Sequence, residues 1–211
     1  MNKPITLPDT LRKLLPPSLT SVASGVDLRK GEKLFRQRQR PRYMFFVVQG
    51  EVVLERIGEQ GAPLALQRVR QGFVAEASLQ SGSYHCDAVV TAPGRAVALP
   101  IEPLKTALTT DSAFALRWIA MLNAEVRRLR AQCERMSLKG VGERLLHMIE
   151  TEGVGGRLHI ESGLKSLAAE LAVSHEALYR AVAVLEKDDT VYREQGFIAV
   201  ARGQNTVTAA E

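Results

Sequence analysis

Cysteine and aromatic residues are scarce in this chain of 211 residues, which has two cysteines, one tryptophan and an aromatic content of 5%. Cys86 and Cys133 lie far apart and outside any CxxC or Cys/His spacing. That excludes a self-contained four-cysteine iron–sulfur or zinc site within one chain and fits a reducing compartment. No run approaches the ~20 apolar residues needed to span a bilayer, and the opening stretch MNKPITLPDTLRKLLPPS has no apolar leader core. The expectation is a cytoplasmic protein, neither exported nor membrane-bound. Also missing are a phosphate-cradling Gly-rich loop before a helix, GxSxG, HExxH and a paired-carboxylate context. An enzyme reading finds no support, and no catalytic or metal-ligating residue is assigned.

What is present is ordinary globular material, 45% hydrophobic and 24% charged, with a basic balance of 28 Lys plus Arg against 23 Asp plus Glu, a net charge of +5. The pI of about 9.4 suits a polyanionic partner without requiring one. The most informative stretch is 164–186, LKSLAAELAVSHEALYRAVAVLE. Leu167, Ala168 and Leu171 recur at helical spacing, and Leu178, Val182 and Leu185 do the same, so two short helices each have one stripe to bury. Ser174 stands where the second helix starts and can cap its first turn, and Ala172 and Val173 are small enough for a close crossing. Opposite the buried stripe project His175, Glu176, Tyr179 and Arg180. Arg can donate twice to guanine and Glu can accept from cytosine N4, so that face can read a major groove. The alternative for this segment by itself is a helical hairpin with a solvated charged face.

Between Thr110 and Ser137 there is neither Gly nor Pro, and Ile119, Leu122, Val126, Leu129, Cys133 and Met136 follow 3-4-3-4-3 spacing. Such a narrow seam suits a helix meeting its own copy in a parallel coiled coil, the alternative being a core helix within one subunit. Asp111 or Thr110 can cap its start, and Gly140 and Gly142 mark its end and a hinge. In a pair, Cys133 would be a small buried hydrophobe rather than a reactive thiol.

Residues 25–101 read as short strands at 43–48, 51–56, 64–69, 87–91 and 95–100, separated by turn signals at Gly31, Gly50, Gly58, Gly61, Gly72, Gly82 and 93–94. Strands so spaced predict a small antiparallel barrel or jelly roll. Residues 191–194 and 197–200, flanking Gln195 and Gly196, read as a hairpin after the recognition helix, a wing from which Arg193 can reach a phosphate or simply be solvated.

The order of these parts resembles the Crp/Fnr superfamily of bacterial transcription regulators, from about residue 20 to 201. The anchors are Gly31 and Phe35, Gly50 and Val52 in FFVVQGEVVLE, Glu76 in GFVAEASL, and LAAELAVSHEALYR. The resemblance implies an α+β fold: a sensory, jelly-roll-like antiparallel β-roll over 1–110, a dimerisation helix over 111–139 and a winged helix-turn-helix over 140–211. It implies double-stranded DNA, a second copy of the chain and RNA polymerase as partners, with an unidentified small-molecule effector. His175 stands where cyclic-AMP-responsive members usually carry Arg, and Tyr179 where many have Ser or Gly. An event in the roll would change how the long helices pack and so reset the spacing of two recognition helices, which must fit major grooves ~34 Å apart.

In the sensory pocket the chain departs from the resemblance. Cyclic-nucleotide-binding members carry, after the Glu matching Glu76, an Arg and then a Ser or Thr that grip the cyclic phosphate; here Cys86 and Asp87 stand there. A carboxylate facing that anion removes charge-assisted hydrogen bonds and adds repulsion, so cyclic nucleotide binding in the usual mode is not expected. Arg95 is the one guanidinium that a different register would turn into the site. The cysteine cluster of the iron–sulfur members is absent. Tyr84, His85, Cys86 and Asp87 leave four possibilities open: haem or a transition metal, redox sensing by Cys86, an unidentified small molecule, or no ligand. On a strand, His85 and Asp87 would face one way and Tyr84 and Cys86 the other. His147 and His159 carry no assigned role. A competing function is a sensor module whose C-terminal helices dock a protein instead of DNA, although Glu176 and Arg180 stand where such a helix would carry apolar anchors.

Overall fold

The computed structural model describes residues 6–58, 61, 63–160 and 163–201. The chain divides into two compact units, 1–120 and 121–211, and the division falls inside a long helix.

The first unit holds one antiparallel sheet built on two long strands, β3 (Tyr43–Ile57) and β6 (Asp87–Pro100), with β1 (Ser24–Leu28), β2 (Lys33–Phe35), β4 (Pro63–Val69) and β5 (Gly72–Val74) added around them. The order is β1-β6-β3-β4, with β2 also paired to β6 and β5 to β3. The strands expected at 43–48 and 51–56 are one, as are those at 87–91 and 95–100. Gly50, at φ +95°, and Gly94 let β3 and β6 pass each other with shifted register instead of turning back. A Cβ on Gly94 would meet the Gln49 carbonyl oxygen at 1.9 Å, and one on Gly50 would meet that of Ala92 at 2.7 Å, so both positions admit only glycine.

Alternation along β3 divides its side chains between two faces. Phe45, Val47, Val52 and Leu54 join Leu28, Phe35, Val69, Val74, Tyr84, Cys86 and Ala98 in the roll interior. Met44, Phe46 and Val53, on the opposite parity, are buried outside that cluster. Phe46 meets Phe73 at 4.9 Å between ring centroids, and Phe73 meets Trp118 at 5.1 Å. Trp118 and its neighbour Phe114 belong to α4 (Ser112–Ser137), which follows α3 (Ile101–Thr110). Near the start of the chain lie α1 (Asp9–Leu14) and α2 (Pro17–Thr20), anchored by the buried Leu11, Leu15 and Leu19. Asp111 caps α4, its carboxylate accepting from the Phe114 N–H at 2.9 Å.

The second unit contains α5 (Val141–Glu152), β7 (Arg157–His159), α6 (Gly163–Glu170), α7 (His175–Lys187), β8 (Val191–Glu194) and β9 (Phe197–Val200). Its core is formed by Leu145, Met148, Ile149, Leu164, Leu167, Leu171, Leu178, Val182 and Ile198, and the sheet order is β7-β9-β8. Leu138, Lys139 and Gly140 separate α4 from α5, and Gly142, expected to mark the hinge as well, lies inside α5, where its Cβ position has ordinary contact room to Leu185. The Gly140 N–H donates to the Glu143 carboxylate at 3.0 Å. Arg135, almost fully buried, donates to Glu152 at 2.5 Å and ties the end of α4 to α5. No helix among the described residues is long and apolar enough to cross a membrane.

Candidate functional site

Helices α6 and α7 are joined by a tight turn whose geometry follows from its residues. Ala172 adopts φ +54°, the Val173 N–H reaches the Ala168 carbonyl at 3.0 Å, and the Ala172 N–H reaches that of Ala169 at 3.4 Å. This is a Schellman closure with alanine in the position glycine usually takes. Two residues later the Ser174 hydroxyl accepts from the Ala177 N–H at 3.1 Å and starts α7, the N-cap expected from sequence.

Leu178 and Val182 bury one face of α7. On the other, Glu176, Tyr179 and Arg180 are exposed and His175 is half-buried, its ring 4.5 Å from that of Tyr179 in a T-shaped contact. The Glu176 carboxyl lies below its ordinary range because its own N–H and the Ser174 hydroxyl donate to it, with His175 and Arg180 nearby. The four residues thus form one polar face at the helix N-terminus, with a carboxylate held by local donors and an exposed guanidinium. Strands β8 and β9 form the expected wing, but Arg193 does not project freely. Its guanidinium is bidentate on Glu186 of α7, at 2.7 and 2.8 Å. Arg157 pairs with Glu194 and lies over the Phe197 ring.

Along α4, Ile119, Val126, Leu129 and Met136 are 51, 44, 40 and 57% exposed, and Leu122 is half-buried. Cys133, expected as a small buried hydrophobe in a pair, is exposed in the single chain. The seam is therefore an apolar stripe that the described residues leave largely uncovered.

The pocket residues are arranged differently from the alternation expected of a strand. Tyr84, His85 and Cys86 lie in a bend, and only Asp87 belongs to β6. His85 and Cys86 consequently meet, Nε2 to Sγ at 3.6 Å, while His85 Nδ1 is 3.0 Å from the buried Ser78 hydroxyl. Burial, then the charge of Arg56, holds the imidazole below its ordinary pKa. Cys86 is fully buried, and burial pushes its thiol up to about 11, against the thiolate that redox sensing requires. Among the described residues no group of three or more His, Cys, Asp or Glu is placed to hold a metal ion.

Asp87 was expected to face the effector anion. Instead its carboxylate pairs with Lys33 and accepts from the Gln37 N–H at 2.6 Å. Burial acts to raise its pKa, but these donors outweigh it and hold the carboxyl below its ordinary value. Arg95 is exposed on β6. Tyr84 fills the roll interior: its ring stacks on Phe35, and its hydroxyl accepts from the Arg42 and Tyr43 N–H groups at 3.3 Å each. Glu76 opens a short 3-10 turn, Glu76–Ser78, after Ala75 at φ +81°. A cavity of about 240 Å³ lies elsewhere, lined by Arg40, Pro41, Arg42, Pro100, Ile101, Glu102 and Pro103. Lys33, Gln37, Arg56 and Ser78, which hold the pocket residues in place, were not singled out from sequence; no local motif marks them, because Lys33, Gln37 and Arg56 act over separations of 54, 50 and 29 residues and Ser78 acts from a neighbouring turn.

Residues 26–111 match the family model of the cyclic nucleotide-binding domain. No curated protein matches the chain at a significant level. Among solved structures, the chain is similar to CprK in complex with OCPA, at 20% identity over 92% of this chain and 89% of that one, with a TM-score of 0.63. It is similar to FixK2 from Bradyrhizobium japonicum at 20% identity, over 90% and 99%, with a TM-score of 0.61. The c-di-GMP-responsive global regulator CLP of Xanthomonas campestris follows at 18% identity, over 87% and 96%, with a TM-score of 0.52. At these identities the likeness is one of fold.

Proposed function

From a cyclic nucleotide-binding domain set within the fold of Crp/Fnr-type regulators, we propose that this chain is a sequence-specific DNA-binding transcription regulator, acting as a homodimer on a near-palindromic operator. The observation that carries the reading is the polar face of α7. Ser174 fixes the helix start, and His175, Glu176, Tyr179 and Arg180 stand together where a recognition helix touches base edges. Arg180 reads guanine, Glu176 accepts from cytosine, and the wing stays docked on α7 through Arg193 and Glu186. The apolar seam Ile119, Leu122, Val126, Leu129, Cys133 and Met136 pairs two copies, so that two recognition helices meet successive major grooves.

The effector is not a cyclic nucleotide bound in the family's usual mode. Cys86 and Asp87 stand where a phosphate-gripping Arg and Ser or Thr would be, one buried and the other committed to Lys33. The roll responds either to a small molecule of another kind or to none, and RNA polymerase is the partner through which a bound regulator would act.

A gel-shift series against genomic fragments, titrated with salt, tests the reading. A discrete set of fragments should shift at protein concentrations that leave the remainder free, and affinity should fall with salt as phosphate contacts are lost. Uniform binding to all fragments, or none, overturns it.

A further inference from the structure

The segment FRQRQRPRY between β2 and β3 carries Arg36, Arg38, Arg40 and Arg42 in alternate positions, and no acidic residue occurs from Lys33 to Gly50. All four arginines are exposed. The carboxylates around them are engaged: Asp87 with Lys33, Glu102 with Lys105 and Glu32 with Arg29. Arg36 contributes only a longer-range attraction to Asp87. Among the described residues no ion pair is found to Arg38, Arg40 or Arg42.

The loop is also pinned. The Arg38 N–H donates to the Tyr84 carbonyl and the Tyr84 N–H to the Gln39 carbonyl, both at 2.9 Å. The Arg36 N–H donates to the Gln39 side chain at 3.1 Å, and the Ile101 N–H to the Arg42 carbonyl at 3.0 Å. Pro41 is buried beneath the turn. Four guanidiniums are thus presented on an ordered backbone, and the entropy cost of gathering them is largely met in the free protein.

We propose that the Arg36–Arg42 loop is a second phosphate-contacting surface, binding DNA that flanks the operator; this rests on the DNA-binding reading above. A duplex carries a charge every ~1.7 Å of axis and can satisfy four neighbouring cations at once, whereas an acidic protein segment offers isolated carboxylates. Guanidinium also matches phosphate bidentately.

The test uses the full chain with two duplexes, one trimmed to the two half-sites and one extended by ~20 bp on each side, about two helical turns. For wild type, log affinity against log salt should be steeper on the long duplex by about 0.9 per phosphate neutralised, hence by about 7 for the two loops of the dimer. Replacing all four arginines with Gln should bring the long-duplex slope and affinity down to those of the short duplex, removing a salt-dependent difference of roughly 10,000-fold between ~50 and ~200 mM. The short-duplex affinity stays unchanged. The all-Lys variant should retain the slope, and Arg36→Gln and Arg40→Gln alone should each lose about 1.8 of it, one contact per protomer, which reads the contact even if the quadruple variant folds poorly. Equal slopes on the two wild-type duplexes, or equal weakening of both by the Gln variant, overturns the proposal. A Gln variant that binds both duplexes as wild type does likewise, and leaves the loop to an acidic protein surface. If wild type shows no specific binding to the short duplex, it is the regulator reading that falls, and this one with it.

Discussion

The ring of Tyr84 stacks on that of Phe35 with centroids 4.0 Å apart and planes 15° from parallel, while its hydroxyl donates to the Tyr43 carbonyl at 2.6 Å. One side chain fills the roll interior with its apolar body and fastens the β2–β3 loop with its polar tip. Tyr84→Phe keeps the stack but leaves the Tyr43 carbonyl and two N–H groups unmatched, and should cost about 1–3 kcal/mol in urea denaturation. Tyr84→Ala opens a cavity and should cost about 3–5 kcal/mol. Equal stability of wild type and Tyr84→Phe would show that water replaces the hydroxyl without penalty.

Arg180→Ala should remove about 1–3 kcal/mol of discrimination between the operator and a site altered at one guanine, while sedimentation shows an unchanged oligomer. An unaltered footprint and affinity would place base recognition elsewhere on α7.

Replacing Val126 and Leu129 together with Asp should yield monomers, because two charges then lie in the seam that pairing desolvates. Cys133 supplies a second readout. Exposed in the single chain, it should alkylate faster in the Asp variant than in wild type, while Cys86, buried and with its thiol pushed up to about 11, stays unmodified in both until the protein is unfolded. Dimers of the variant at micromolar concentration would show that the interface lies elsewhere.

Calorimetry should detect no saturable binding of cyclic AMP or cyclic GMP. Of the cations beside the expected phosphate position, Lys33 is committed to Asp87 and Arg56 donates to the His85 carbonyl at 2.8 Å, and Arg95 is exposed on β6. A micromolar dissociation constant abolished by Arg95→Ala would mean that the phosphate sits on the other end of β6.

His85 makes the stability of the roll pH-dependent. Burial and Arg56 lower its pKa from the ordinary 6.5, so the unfolded chain takes up the proton more readily than the folded one. Stability from this group is complete above the unfolded pKa and declines as pH falls from there through the folded value. Between about pH 7.5 and 5.5 the denaturation midpoint should drop in wild type, and His85→Gln should flatten that dependence. A variant with an undiminished pH slope would assign it to other groups.

Where a structural signal is local, it was legible. Ser174 as N-cap, the hairpin strands at 191–194 and 197–200, and the uninterrupted helix before Ser137 all rest on a few adjacent residues, and the structure places them within a residue or two of expectation. Gly50 and Gly94 misled because a glycine within a strand and a glycine in a turn look alike in sequence; the pairing of β3 with β6 decides which it is. Helices α1 and α2 carry too few residues for a period to emerge, and they form because Leu11, Leu15 and Leu19 are buried. The orientation of Asp87 depends on Lys33, 54 residues earlier, and no spacing rule reaches that far. The seam on α4 and the polar face on α7 were readable because helical periodicity alone sorts their side chains.

The clamp between Arg193 and Glu186 gives the wing its own counter-ion. A phosphate approaching the wing does not meet a bare cation; it must displace or share a carboxylate already held at hydrogen-bond distance. The wing therefore contributes little to indiscriminate attraction along a duplex. Under the proposed DNA-binding function it would become an anion contact only where α7 is seated closely enough to bring a phosphate within reach, and the arginine would then act as a check on fit as well as a source of affinity. Glu186→Gln would release that check, strengthening binding to random sequence more than binding to the operator.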